Sequence, residues 1–81
     1  MSAMVGDISW WTALRCDQRQ RIADIRAAVN ASELAPFAVA VINQWIDEAH
    51  QAWRDCDTPG VEHNLEIARA RLDSERKWVE P

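Results

Sequence analysis

The spacing of hydrophobic residues along the chain is helical over most of its length. Apolar side chains recur every three or four residues in two long stretches, residues 22–29 and 61–72. This spacing places them in one stripe on one face of an α-helix. Only two glycines and three prolines interrupt the chain, and no strictly alternating run of β-branched residues is present. The pattern therefore predicts an all-α protein.

The first helix has two alternative starting points. Ser9 can act as an N-cap, because its hydroxyl can accept a hydrogen bond from the first turn. Asp17 offers a second capping signal, which favours a break near residues 15–16, although a continuous helix also fits. We predict a flexible N-terminal tail over residues 1–8, followed by one helical domain over residues 9–79.

Two further helices follow. Ser32 is the expected cap of the second helix, with Pro36 in its first turn, and this helix is expected to end at about Cys56. Thr58 is the expected cap of the third helix, which runs to about Trp78. The two helices are joined by about four residues and must therefore be antiparallel. The predicted fold is a compact bundle of three main helices around this long helical hairpin.

The first half of the second helix has more apolar residues than one buried face requires. From Leu34 to Ile46, side chains such as Phe37, Val41 and Trp45 cover more than one side of the helix. A helix of this kind is contacted from two sides. It is either the spine of the domain or the interface of a homodimer, in which a second copy covers residues 34–46.

Five tryptophans are an unusual number for 81 residues. Because tryptophan is highly buried on average, we expect roughly three of the five in the core. Tryptophan is also enriched at binding hot spots, so the others are candidates for contact with a partner. The sequence does not assign Trp10 and Trp11 to either group.

The acidic residues are concentrated in the hairpin. Residues 33–66 contain seven acidic side chains against Arg54 alone, a net charge of −6, while the whole chain carries −4. Such a surface either keeps the protein in solution or attracts a basic partner protein. An acidic chain without a basic stripe is not expected to bind nucleic acid directly. The predicted partner-binding residues are Asp47, Glu48, Trp53, Asp55, Asp57, Glu62 and Glu66.

Histidines and carboxylates on the two hairpin helices are the strongest candidates for metal chemistry. Asp47 and His50 are three residues apart, as are His63 and Glu66, and similar pairs occur in carboxylate-bridged metal bundles. The antiparallel register, however, places His50 level with Glu66. A hydrogen bond between these two side chains is therefore favoured over a metal site.

The cysteines and the chain termini suggest no further chemistry. Cys16 and Cys56 lack the CxxC spacing of zinc or redox sites, and we expect free thiols with a structural role. No signal peptide and no membrane-spanning stretch is recognisable, which favours a cytoplasmic protein without membrane contact. We predict a non-enzymatic protein that uses no metal and no cofactor.

The hairpin spacing resembles a single tetratricopeptide repeat over residues 42–75. It departs from that pattern at Cys56, where the family usually has glycine, and at Val61, which is bulkier than the usual alanine. Such repeats need about three copies to bury a continuous core, so the resemblance implies a tight helical hairpin only. The matching positions are Trp45, Ala49 and Ala52 on one helix and Val61, Leu65 and Ala68 on the other.

The segment Ile8-Ser9-Trp10-Trp11-Thr12-Ala13-Leu14, with Arg19 shortly after it, resembles the opening of small proteins encoded by phages and prophages. Small phage proteins with acidic surfaces include anti-CRISPR proteins and other host-takeover inhibitors. The resemblance implies an inhibitor in the host cytoplasm that occupies the basic, nucleic-acid-binding surface of a host protein such as a CRISPR effector. The alternative is a structural helical subunit of an obligate homo-oligomer.

Overall fold

The described backbone forms three α-helices: α1 (Ser2–Ala31), α2 (Pro36–Arg54) and α3 (Thr58–Val79). The computed structural model describes the backbone of residues 2–79 and the side chains of residues 9–78. Helices α2 and α3 form an antiparallel hairpin, and α1 packs along one side of it, mainly against α2. No strand occurs within the described backbone. The prediction of an all-α, three-helix bundle is confirmed.

Helix α1 is continuous, so the predicted break near residues 15–16 is wrong. Its 30 residues run through this region without interruption, because no glycine or proline occurs between Gly6 and Pro36. Ser9 accordingly lies inside the helix and is not its N-cap. Residues 2–8, predicted as a flexible tail, have the backbone of the same helix, while their side chains and Met1 lie outside the described residues.

The core lies between one face of α1 and the facing sides of the hairpin. Each large aliphatic side chain buried there stabilises the fold by about 1.5–3 kcal/mol. Alanines at three of the positions allow α2 and α3 to approach closely. The positions predicted from the periodicity of α1 and α3 are all buried. The core cluster consists of Ile22, Ile25, Val29, Ile42, Ile46, Ala49, Ala52, Val61, Leu65, Ala68 and Leu72.

The residue that caps the N-terminus of α2 differs from the predicted one. Pro36 occupies the first turn of α2 as expected, but the N-cap is Ala35, which has no side chain able to accept a hydrogen bond. The hydroxyl of Ser32 instead donates to the carbonyl of Ala28 at 2.8 Å. Ser32 therefore stabilises the end of α1 and does not cap α2.

The hairpin turn is built by residues that sequence reasoning assigned to other roles. Cys56 follows the end of α2 with a φ of 59°, the left-handed conformation in which glycine is preferred. Asp57, and not Thr58, caps α3, since its Oδ1 accepts a hydrogen bond from the backbone N–H of Gly60 at 3.1 Å. A Cβ atom on Gly60 would collide with the Asp57 carboxylate and lie 3.2 Å from the Cβ of Ala52. A side chain at position 60 would therefore displace the carboxylate that caps α3.

Candidate protein-binding surfaces

Trp53 lies in the interface between α1 and α2. Its indole N–H donates to the backbone carbonyl of Arg15 at 2.9 Å, and the Arg15 guanidinium donates back to the carbonyl of Trp53 at 3.0 Å. The same guanidinium lies 4.3 Å from the centre of a Trp53 ring, a cation–π distance. The ring is half-buried. Trp53, predicted as a partner-binding residue, therefore holds α1 on the hairpin.

His50 also belongs to the contact between α1 and α2. Its ring stacks on that of Trp53, with 6.1 Å between centroids, and it lines an open depression together with α1 residues such as Arg19 and Arg26. It forms no hydrogen bond to Glu66 among the described contacts, so that prediction is wrong. The register argument was wrong in level, because Ala52 lies beside Gly60 and this places His50 level with Glu62. It was also wrong in side, because His50 faces α1.

Two of the predicted acidic residues are paired with arginines of α1. The Asp47 carboxylate accepts a hydrogen bond from Arg26 at 2.8 Å, and both Glu62 carboxylate oxygens lie 2.8 Å from one nitrogen of Arg21. The hydrogen bonds that Arg21 donates to Glu62 raise the pKa of Arg21 above its ordinary value. These exposed pairs contribute little to stability, but they reduce the charge that Asp47 and Glu62 present to a partner.

The remaining acidic residues are divided between different sites. Asp57 caps α3, as described above. Glu48 and Asp55 are exposed and seven residues apart, so both lie on the side of α2 that faces away from α1. We call these two residues the acidic stripe. Asp55 accepts a hydrogen bond from Gln51 at 3.2 Å, and no ion pair involves Glu48, Asp55 or the exposed Glu66 of α3 within the described side chains.

An apolar face lies at the opposite end of the hairpin, where α2 begins and α3 ends. Phe37 of α2 is 81% exposed and Trp78 of α3 is 86% exposed. A shallow groove between the two helices is lined by Phe37, Val41, Arg71 and Glu75. We call this surface the open-end face; its members are Phe37, Val41, Trp45, Ile67, Arg71, Glu75 and Trp78.

The tryptophans are less buried than the sequence suggested. Only Trp45 and Trp53 pack against the core, both half-buried, so the expectation of about three core tryptophans is wrong. Trp10, Trp11 and Trp78 are exposed. Trp10 and Trp11 lie in the part of α1 that precedes Arg15. Arg15 contacts the hairpin turn, where its guanidinium donates to Cys56 Sγ at 3.3 Å.

No group of three or more potential metal ligands lies together among the described side chains. Cys16 and Cys56 are free thiols, and both are exposed. None of the helices described here is long and apolar enough to cross a membrane. Neither protein-family models nor curated proteins nor solved structures give a match to this chain.

Proposed function

We propose that this chain is a small binding protein that engages a basic surface of another protein through its acidic stripe. The observation that carries the proposal is that Glu48 and Asp55 share one side of α2, exposed and without an ion pair in the described chain. Two like charges held on the side of α2 that α1 leaves uncovered favour a partner of opposite charge. Glu66 adds a third free carboxylate on the neighbouring helix.

The partner class that suits this surface is a protein with a nucleic-acid-binding site. Such sites are rich in lysine and arginine, because they neutralise phosphates. A rigid helix with carboxylates on one side can occupy the positions that phosphates otherwise take. Together with the resemblance of residues 8–14 to phage proteins, this chemistry supports the role of a phage-encoded inhibitor of a host protein, for example a CRISPR effector.

The proposal can be tested by reversing the acidic stripe. The double variant Glu48→Lys with Asp55→Lys should retain the fold, because both side chains are exposed and outside the core. Wild-type protein immobilised on a resin is expected to retain a basic nucleic-acid-binding protein from a bacterial lysate. Added duplex DNA should displace that protein, and the double variant should fail to retain it.

A matched control carries the same change of charge elsewhere. Glu33 and Asp73 are also exposed acidic residues, and they lie outside the acidic stripe. Replacing both with lysine should leave retention of the partner nearly unchanged. The proposal is wrong if the two double variants lose the partner equally, or if DNA does not compete with the retained protein.

A further inference from the structure

The open-end face combines apolar side chains with two opposite charges that are unpaired within the described side chains. Phe37 and Trp78 are almost fully exposed, and Val41 is half-buried beside Phe37. Neither Arg71 nor Glu75 forms an ion pair with any other described residue. An exposed apolar face of this kind marks a surface that another molecule covers.

The register of the hairpin fixes how these residues are arranged. Gly60 lies beside Ala52 near the turn, where a Cβ on Gly60 would be 3.2 Å from that of Ala52. Counting back along both antiparallel helices places Val41 level with Arg71 and Phe37 level with Glu75. These four residues also line a single groove, which agrees with the counting. Each charge is therefore level with one apolar residue, and the two levels are one helical turn apart.

This arrangement is complementary to itself. Consider two copies packed through their open-end faces, related by a two-fold axis that lies in the interface and runs perpendicular to the helices. The helices of one copy are then antiparallel to those of the other, so the two levels follow in the opposite order. Arg71 then lies opposite the partner's Glu75, and Glu75 opposite the partner's Arg71. On α2, Phe37 lies opposite the partner's Val41. We propose that the open-end face binds a second copy of this chain in this antiparallel arrangement.

The residues on either side of this centre match less closely. The two-fold axis that pairs Arg71 with Glu75 places Trp78 level with the partner's Ala68, one residue from Ile67. Beside α2 it places Trp45 level with the partner's Glu33, which precedes that helix. The two central pairs, Arg71 with Glu75 and Phe37 with Val41, therefore define the arrangement.

The size of the face predicts a dimer of moderate affinity. Each large aromatic side chain buries on the order of 150–250 Å², so Phe37 and Trp78 contribute roughly half of the ~800 Å² per subunit of a standard interface. The smaller apolar residues supply part of the remainder. We therefore expect a dimer that dissociates on dilution, with a Kd of roughly micromolar order. The acidic stripe stays outside this interface, and the two stripes lie at opposite ends of the dimer.

A charge-reversal experiment tests the pairing directly by sedimentation equilibrium. The variants Arg71→Glu and Glu75→Arg each place like charges opposite each other twice per homodimer. Each variant alone should dimerise roughly tenfold more weakly than wild type. An equimolar mixture of the two variants should dimerise about as well as wild type, because both cross-pairs are then opposite in charge. Attraction between positions 71 and 75 within one helix cannot produce this recovery.

Two further variants complete the test. Phe37→Ser should abolish dimerisation with an unchanged circular dichroism spectrum, since Phe37 contributes little to the core. Asp73→Arg changes a charge on the other side of α3 and should leave the Kd unchanged. A wild-type protein that sediments as a monomer overturns the proposal, as does a mixture that dimerises no better than either variant alone. Neither result bears on the acidic stripe, so this proposal and the proposed function fail separately.

Discussion

The two ends of the α2–α3 hairpin differ in how far their aromatic side chains are exposed. At the turn end, Trp53 is half-buried, its N–H is bonded to Arg15, and its ring is covered by the Arg15 guanidinium. At the open end, Trp78 is 86% exposed, and Phe37 is left in a similar state. The same helices therefore carry one aromatic residue that fixes α1 and others that nothing within the described chain covers.

The difference follows from where α1 contacts the hairpin. Its arginines at positions 15, 21 and 26 reach the turn-end half of the hairpin and its middle, where they meet Trp53, Glu62 and Asp47. The side of α2 facing away from α1 receives none of these contacts. Along that side the residues change from apolar at Phe37 and Val41 to acidic at the acidic stripe. One helix face can thus serve two partners, each suited to a different chemistry.

Replacing the two tryptophans is the strongest test of this comparison. Trp53→Ala removes a half-buried ring, an indole hydrogen bond and a cation–π contact, so we expect a loss of about 2–3 kcal/mol in the free energy of unfolding. Trp78→Ala removes a ring that contacts little, and the change for the monomer should stay within about 0.5 kcal/mol. Urea denaturation at a protein concentration well below the micromolar Kd of the proposed dimer measures both losses. Equal losses would show that the two ends are packed alike.

Most of the fold could be predicted from the sequence, because it depends on local periodicity. The stripes of α1 and α3 and the short joint between α2 and α3 were sufficient to predict the hairpin and the core. The side on which α1 packs was not predictable, since it is decided by contacts between residues about 40 positions apart, such as Arg21 with Glu62. For this reason the acidic residues appeared as one surface in sequence, whereas α1 divides them in the structure.

Gln18 extends the apolar stripe of α1, and because it is polar the hydrophobic pattern does not predict its burial. It precedes Ile22, Ile25 and Val29 at the same spacing and is only 1% exposed. Its side-chain Nε2 is buried without a hydrogen-bond partner in the described structure. Such a group costs about 1–3 kcal/mol, so Gln18→Met, which keeps a similar shape, should stabilise the fold by about 1 kcal/mol in urea denaturation.

The variant Gln18→Ala is the matching control. It also removes the unpaired amide but leaves a cavity, so it should be less stable than Gln18→Met. If Gln18→Met is less stable than wild type, the Gln18 amide has a hydrogen-bond partner that stabilises the fold. The core near the hairpin turn then needs a polar side chain, whereas the core around Val29 does not.

The smallest expected effect concerns the ion pair between Arg21 and Glu62. Its side chains are 43% and 46% exposed, so a double-mutant cycle to alanine should give a coupling of only about 0.5 kcal/mol, reduced further by salt. The hydrogen bond to Glu62 raises the pKa of Arg21. A group with a raised pKa stabilises the folded state fully at pH values below its unfolded-state pKa. This stability is lost only as the pH rises through the folded-state pKa. Because Arg21 stays protonated at neutral and mildly alkaline pH, the coupling free energy between Arg21 and Glu62 should not change in that range.

The same cycle on Arg26 and Asp47 provides the comparison within α1. Asp47 is the more exposed carboxylate, at 69% against 46% for Glu62, and its coupling should be smaller. If either pair instead gives a coupling free energy of about 2 kcal/mol that salt does not reduce, these ion pairs stabilise the packing of α1 about as much as the contacts of Trp53 do. The acidity of the turn end would then serve mainly to position α1, and only Glu48, Asp55 and Glu66 would remain for a partner.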